Sequence, residues 1–395
     1  MTLINFNKSL KKISNNFFNK TANGSIKVIY PDNEEIYFKG NDDGYSADIR
    51  LLNYKVFFKI IKKGPVGFAE SYMDGDFTST NLSNLLLFSY DNEKYFVKNK
   101  KIGGIMSQYI RFKHFLNENT KTKSKKNIRF HYDLGNDFYK LWLDPSMTYS
   151  SAIFSDSKKD LHQAQINKFY QIAKPLELNE NSILLEIGCG WGGFSSYIAK
   201  EFGAKVKAIT ISKEQYEFAS EKIYKEGLNH KVSIEMKDYR DINEKYSNIA
   251  SIEMFEAVGK KYWEMFLNIV KNSLSQNGLA SMQIITIKDE KAEKYQKNPD
   301  FIQQYIFPGG VLPSKKQLIN LSKTVGISLS EVQSFQSSYA KTLNIWNDKF
   351  QNVWPNISEQ GFPLRFKKMW EYYLSYCEAG FTSGATDVSQ FIIKN

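Results

Sequence analysis

The chain has 395 residues, with 53 Lys and Arg against 42 Asp and Glu for a formal charge of +11, and 42 % of it is hydrophobic. At about 100–200 residues per domain this length predicts two or three domains, and the apolar content excludes a disordered chain. Cys189 and Cys377 lie far apart without CxxC spacing, which excludes a disulfide scaffold or thiolate zinc site and fits a reducing, cytoplasmic setting.

The first 25 residues lack the apolar core and small-residue cleavage site of a signal peptide, and no run of 18 apolar residues occurs anywhere. A soluble or peripheral protein is expected. Val56, Phe57, Phe58, Ile60 and Ile61 form an apolar run that reads as a strand, a turn-rich stretch follows at 72–76, and residues 81–88 read as a short helix. These elements predict a small mixed α/β domain over 1–125 and a second domain over 126–395. Residues 1–130 hold a net charge of +10, leaving +1 for the rest. Lys121, Lys123, Lys125, Lys126 and Arg129 crowd a linker-like stretch just before His131. Such a run is either a solvated face or a site of attraction to an anionic surface, where anionic lipid supplies roughly 1 kcal/mol per basic residue. No helix-turn-helix, RNP motif or zinc-finger spacing favours nucleic acid.

From residue 181 the pattern becomes that of a nucleotide-binding unit. Residues 182–187 (SILLEI) read as a buried parallel strand, and Gly188, Gly190, Trp191, Gly192 and Gly193 follow it. Next come a helix pattern ending at Gly203, a second strand over 205–211 and a second helix over 213–226. Glycines at the first strand-to-helix turn let the backbone approach a ligand whose polar groups meet the helix-start amides. G-x-G-x-x-G alone also fits NAD. Two features argue for S-adenosylmethionine instead: Glu186, placed to receive a ligand ammonium group, and a second strand that ends Ala208-Ile209-Thr210-Ile211-Ser212 without the acidic ribose reader.

These motifs resemble the cyclopropane-fatty-acyl-phospholipid synthase family, which includes the mycolic acid cyclopropane synthases. The resemblance rests on residues 131–139 (HYDLGNDFY), 147–151 (MTYSS), 185–193 (LEIGCGWGG), 210–215 (TISKEQ), 238–241 (DYRD), 253–259 (EMFEAVG) and 307–310 (FPGG), with 70–76 (ESYMDGD) resembling the family's small domain. It implies a class I methyltransferase fold, a seven-stranded α/β sheet with one reversed strand, preceded by a smaller lipid-docking domain. It also implies methyl transfer from S-adenosylmethionine to the double bond of a phospholipid acyl chain by a protein peripheral at the inner membrane face, possible as a homodimer. The implied cofactor contacts are Tyr149, Ser150, the loop from Leu185 to Gly193 with Glu186, Thr210, Ile211, Ser212, Gln215, Tyr239 and Arg240. Thr210 and Gln215 offer neutral groups to a ribose, and Tyr239 can cover an adenine face.

An isolated alkene is a poor nucleophile, so the enzyme must position it and accommodate the resulting carbocation, for which aromatic faces and carboxylates are suited. Tyr139, Trp142, Tyr149, Phe154 and Tyr339 are the aromatic candidates, shared between that role and ordinary core. A proton must then leave for the ring to close. In the family the base is a bound bicarbonate ion held by five positions, which fall here on Ser151, Glu256, Gln283, Ile285 and Tyr339. Ser151 stands in the place of a Cys, Gln283 in the place of a His, and Ala257 in the place of the His beside Glu256. Ser and Gln keep hydrogen-bonding capacity but carry no imidazolium charge, which puts ring closure rather than methyl transfer in question and opens a methyl- or methylene-branched product. Cys377 matches a Cys of the family's C-terminal pattern, and Cys189 reads as loop filler. His131 is either near the site or structural, and no His pair at ligand spacing predicts a metal. Two further readings compete: methylation of a soluble small molecule, and a lipid-binding protein without catalysis.

Overall fold

The computed structural model describes residues 3–96, 134–155 and 160–395, and backbone contacts divide the chain into two units. The first contains the N-terminal region together with residues 298–301 and 354–383. Its sheet is built from β1 (Asn23–Ile29), β2 (Glu35–Lys39), β3 (Asp42–Leu51) and the short β4 (Phe77–Thr78), in the order β2-β1-β3-β4, with β1 and β3 parallel.

The apolar run at 56–61, expected as a strand, is a helix over Lys55–Lys63 in which Val56 alone is buried. Lys62 and Lys63 occupy its last turn, where cations meet the negative end of the helix dipole, and Gly64 at φ 57° ends it. The helix expected near 81–88 spans Leu82–Asp91. It starts where the Asn81 side chain accepts the Asn84 N–H, satisfying one of the free amides of the first turn.

A contiguous division at residue 125 is not what the contacts give. The helix Leu364–Thr382 belongs to the first unit, where Tyr72 donates to Glu371 at 2.9 Å and Ser83 to Glu378 at 2.7 Å. Arg365 and Lys59 both reach Asp74, at 2.8 and 2.6 Å. The expected boundary, the basic run from Lys121 to Arg129 and His131 lie outside the described residues.

The second unit is a seven-stranded sheet in the order β10-β11-β9-β8-β5-β6-β7. Its strands are β5 (Ile183–Ile187), β6 (Lys205–Thr210), β7 (Val232–Met236), β8 (Tyr246–Ile252), β9 (Leu274–Ile287), β10 (Ser328–Ser334) and β11 (Thr386–Lys394). All neighbouring pairs are parallel except those of β11, which runs antiparallel to both β9 and β10. This is the expected class I methyltransferase sheet with one reversed strand. The run from Leu184 to Ile187 is buried, and apolar but for Glu186, because both faces of β5 are covered there. Leu184 packs with Phe169, Phe194 and Ile198 on one side, and Leu185 and Ile187 pack with Phe255 and Phe266 on the other. After β5 the chain turns to β6 on one side, and β8 lies on the other. Their carboxyl ends therefore open at a topological switch point, where such sheets bind ligands.

A fragment ending at residue 125 lacks Glu371 and Glu378, the acceptors for Tyr72 and Ser83. It is expected to show no cooperative melt by far-UV circular dichroism, whereas the full chain does; a sharp transition in the fragment would refute this account of the first unit.

Candidate active site

The glycine loop leaves β5 with Gly188, Gly190 and Gly192 all at positive φ, and the helix Gly193–Glu201 follows. Gly188 and Cys189 donate to the Ile209 carbonyl of β6 at 3.0 and 3.1 Å, which pins the turn to the neighbouring strand. A Cβ on Gly193 would lie 2.7 Å from the Ser146 carbonyl oxygen, and one on Gly188 would lie 2.9 Å from Cγ of Met254. A Cβ on Gly190 would enter open space. The loop is thus closed behind and open in front, as a cradle for a ligand requires. Glu186, fully buried on β5, accepts a hydrogen bond from Ser195 Oγ, and burial pushes its carboxyl up to about 7.

The remaining cofactor candidates lie in the same unit as this loop. Thr210 ends β6 and donates to Gln215 Oε1 at 3.0 Å, while Ile211 leads to Ser212, whose side chain caps the helix Lys213–Lys225. The Asp238 carboxylate grips Arg240 through two bonds of 2.8 and 2.7 Å. Arg240 in turn lies 5.3 Å over the Tyr239 ring, whose edge-to-face partner is Phe266. Trp191 donates its Nε1–H to Asn136 at 2.7 Å. Ser150 receives the ammonium of Lys168 at 2.7 Å, and its carbonyl accepts from Gln165. These groups fit S-adenosylmethionine: neutral hydrogen-bonding groups stand where a ribose reader is needed, and a buried carboxylate lies behind the loop.

From Trp191 a chain of rings leads away from the loop. Tyr139 lies 4.9 Å from Trp191 and 5.5 Å from Tyr149, Tyr149 lies 5.3 Å from Trp346, and Trp346 lies 6.4 Å from Tyr339. Trp142 packs against Tyr139, Tyr149 and Trp346. Phe154 stands apart, under the ammonium of Lys341. The run of rings ends at a carboxylate, Glu253, which the motif resemblance leaves without a role. The Tyr339 hydroxyl donates to Glu253 Oε2 at 2.7 Å, while Gln283 Nε2 and the Ser151 N–H donate to Oε1 at 2.8 and 2.9 Å. Gln283 is itself held by Gln390 of β11. Ser151 Oγ, at the position expected to bear a Cys thiol, donates instead to the Ala152 carbonyl. The Ile285 N–H donates to Glu256.

The five positions thus come together, but around resident carboxylates. An anion held by Ser151, Gln283 and Tyr339 would meet Glu253, so the bicarbonate implied by the resemblance does not fit here. Cys377, the remaining catalytic candidate, belongs to the other unit, and burial pushes its thiol up, away from the reactive thiolate.

Two carboxylates this close cannot both ionise easily. Burial, then the Glu253 charge, pushes Glu256 up to about 8, and among the described residues its Oε2 has no hydrogen-bond partner. Burial also raises Glu253, opposed by its donors and by Lys168. Glu256 therefore keeps its proton at neutral pH, and of the two acids it is Glu253, with three donors, whose charged form is favoured. Lys168, fully buried, is pushed down to about 8 by burial, against the pull of Glu253, Asp144 and Glu186. Its place was legible: in the helix Leu161–Ala173 it falls on the stripe of Leu161, Ala164, Gln165 and Ile172, all buried. Glu253 had no pattern to betray it. Its φ of 50° is a left-handed conformation that costs a non-glycine residue about 1–3 kcal/mol and persists where the surroundings over-determine it.

The family model described as mycolic acid cyclopropane synthetase matches residues 119–391. The chain is 34 % identical to cyclopropane-fatty-acyl-phospholipid synthase of Escherichia coli K12 over 88 % of each chain. It is 32 % identical to tuberculostearic acid methyltransferase UfaA1 of Mycobacterium tuberculosis, over 85 % of this chain and 80 % of that one. Among solved structures, cyclopropane synthase MmaA2 of Mycobacterium tuberculosis superimposes with a TM-score of 0.65 at 28 % identity, covering 69 % of this chain and 98 % of its own. Mycolic acid cyclopropane synthase CmaA1 complexed with SAH and CTAB gives 0.63 at 29 % identity with the same coverage.

The raised carboxyl of Glu256 fixes a pH dependence. Between about 4.5 and about 8 the native state keeps a proton that the unfolded chain has released, so stability falls as pH rises through that window. Lys168 acts oppositely between about 8 and 10.5, where the unfolded chain keeps the proton and the native state has lost it. Glu256→Gln removes the first penalty. Calorimetry should find its Tm above the unsubstituted protein by ~2–4 °C per kcal/mol relieved near pH 8.5, with the gap closing near pH 5; an equal gap at both would contradict the assignment.

Proposed function

Since the chain belongs to the mycolic acid cyclopropane synthetase family and is an S-adenosylmethionine-dependent methyltransferase, we propose that it methylates the double bond of unsaturated acyl chains in phospholipids, closing a cyclopropane ring. The observation that carries this reading is the unbroken run of rings from Trp191 at the glycine loop to Tyr339 on Glu253. A soluble polar acceptor has no need of such a run. An apolar chain and a transient cation are both served by it, because ring faces are greasy and electron-rich.

S-adenosylmethionine, when bound, supplies an electrophilic methyl group. Gly188 to Gly193 and Glu186 would hold its amino-acid end, Thr210, Ser212 and Gln215 its ribose, and Tyr239 its base, with Tyr149 and Ser150 at the side facing the rings. Tyr139, Trp142, Tyr149 and Trp346 orient the alkene and keep water from the cation. Lys168 fixes Ser150 from below and balances the buried charges of Glu186 and Glu253.

A second reading has its own observation. With Ser151 and Gln283 at the expected Cys and His positions, and with UfaA1 among the relatives, the product is a methyl- or methylene-branched chain. The two products separate by proton NMR. Labelled S-adenosylmethionine and monounsaturated phospholipid vesicles should yield labelled lipid with upfield ring protons; vinylic protons support the second reading, and label confined to water-soluble acceptors refutes the substrate class.

The first unit suits docking on an anionic bilayer. Leu52, Phe58 and Ile61 are exposed beside Lys55 and Lys62, so greasy side chains and cations share one surface. No helix among the described residues is long and apolar enough to cross a membrane. Replacing Phe58 and Ile61 by Ser is expected to lower co-sedimentation with anionic vesicles several-fold at low salt and to leave the melting temperature unchanged; undiminished sedimentation would place the contact elsewhere.

A further inference from the structure

Three of the groups that the resemblance assigns to a bound anion already have one. Ser151 N–H, Gln283 Nε2 and Tyr339 OH converge on the Glu253 carboxylate at 2.9, 2.8 and 2.7 Å, and a fourth, the Ile285 N–H, is spent on Glu256. We propose that Glu253 is the base of the reaction, a carboxylate built into the chain in the place of a bound bicarbonate, so that turnover needs no free anion. The proposal rests on the methyl-transfer reading above and deepens it.

The placement suits the task. Met254, the next residue, stands so close to Gly188 that a Cβ there would collide with its Cγ at 2.9 Å, so the segment that carries Glu253 adjoins the loop that cradles the methyl donor. Glu253 Oε1 accepts two hydrogen bonds and Oε2 one, leaving on Oε2 a lone pair for a proton. Oε2 is also the oxygen on the side of Tyr339 and the ring run. Lys168 lies near enough for its charge to favour the ionised form of both Glu253 and Glu186, while the second acid, Glu256, has a donor on one oxygen only and holds its proton. Glycine would occupy φ 50° without strain, yet a glutamate is held there by three donors from three separate parts of the chain.

The step balances. The π pair of the alkene forms the new bond to the methyl carbon, the carbon–sulfur pair stays on sulfur, and the neighbouring chain carbon is left cationic. Glu253 then takes a proton from carbon. If that proton comes from the new methyl, the freed C–H pair closes the ring. If it comes from the carbon bearing the methyl or the next chain carbon, the pair becomes a double bond. A sulfonium and a carboxylate at the start become a thioether and a carboxylic acid, and the acid returns its proton to water after product leaves.

The test uses the full chain, Glu253→Gln and Glu253→Gly, each checked by melting temperature and by calorimetric binding of S-adenosylmethionine. On monounsaturated phosphatidylglycerol vesicles in carbon-dioxide-free buffer, the unsubstituted protein should turn over at the rate it shows with added bicarbonate. Glu253→Gln should lose at least ~10²-fold in kcat, the usual worth of a general base, with donor affinity unchanged. Glu253→Gly should regain activity when bicarbonate is added. A second readout needs no turnover: the 13C line of labelled bicarbonate should broaden with Glu253→Gly and stay sharp with the unsubstituted protein. The proposal is overturned if the unsubstituted protein loses turnover without bicarbonate, if it broadens that line, or if Glu253→Gln stays within about threefold of it in kcat. Should the unsubstituted protein methylate no lipid at all, the reading of its function fails, and the 13C measurement still decides what fills the site.

Discussion

Two coupled carboxylic acids, the half-buried Glu253 and the buried Glu256, follow the carboxyl end of β8, and much of the second unit is arranged to make that tolerable. Isolated buried carboxylates would simply protonate. Here the two are made unequal by their donors: Glu253 receives three, which favour its charged form, and Glu256 receives a backbone amide on one oxygen only. The length of β9 serves this division. Its 14 residues carry Gln283 to Glu253 and, two residues on, Ile285 to Glu256, so one strand feeds both acids, one through a side chain and one through its backbone. The reversed strand β11 adds Gln390, which holds the Gln283 amide the right way round for its nitrogen to face Glu253.

Charge links this pair to the glycine loop. Lys168 spends its hydrogen bond on Ser150, yet it lies in the field of Glu253, Glu186 and Asp144. A buried ammonium among buried carboxylates gives little net stability, because desolvation offsets most of the attraction. Its worth is positional: it keeps the cofactor side and the base side of the site in one electrostatic balance, so that loss of either charge is felt at the other.

The sheet and the glycine loop were legible because each strand of the βαβ unit obeys a local rule: an apolar run buried on both faces, then glycines where the turn demands positive φ. The helix Lys55–Lys63 was misread because five apolar residues in a row of six resemble a strand, and only the packing shows that Val56 alone points inward. The helix Leu364–Thr382 could not be assigned to the first unit from sequence, since its partners Tyr72 and Ser83 lie about three hundred positions away. The five family positions did converge as read. What the sequence hid was the occupant at their centre, because a glutamate at the end of a strand looks like an ordinary surface acid until its φ and its donors are known.

A base that is part of the chain has a consequence for the fate of the cation. A bound ion can shift to whichever proton is most acidic, whereas Glu253 is fixed by three hydrogen bonds and a constrained backbone. The product is then decided by reach: the carbon whose hydrogen comes within contact of Oε2 gives up its proton, and ring or branch follows from where the rings seat the acyl chain. In the proposed function Trp346, next to Tyr339, and Tyr149 beyond it would set that seat, so that small changes of side-chain volume there would shift the alkene relative to Glu253 without touching the acids. Selection between cyclopropane and branched products in such a site is a matter of ångströms along the ring-lined run rather than of a different chemical group.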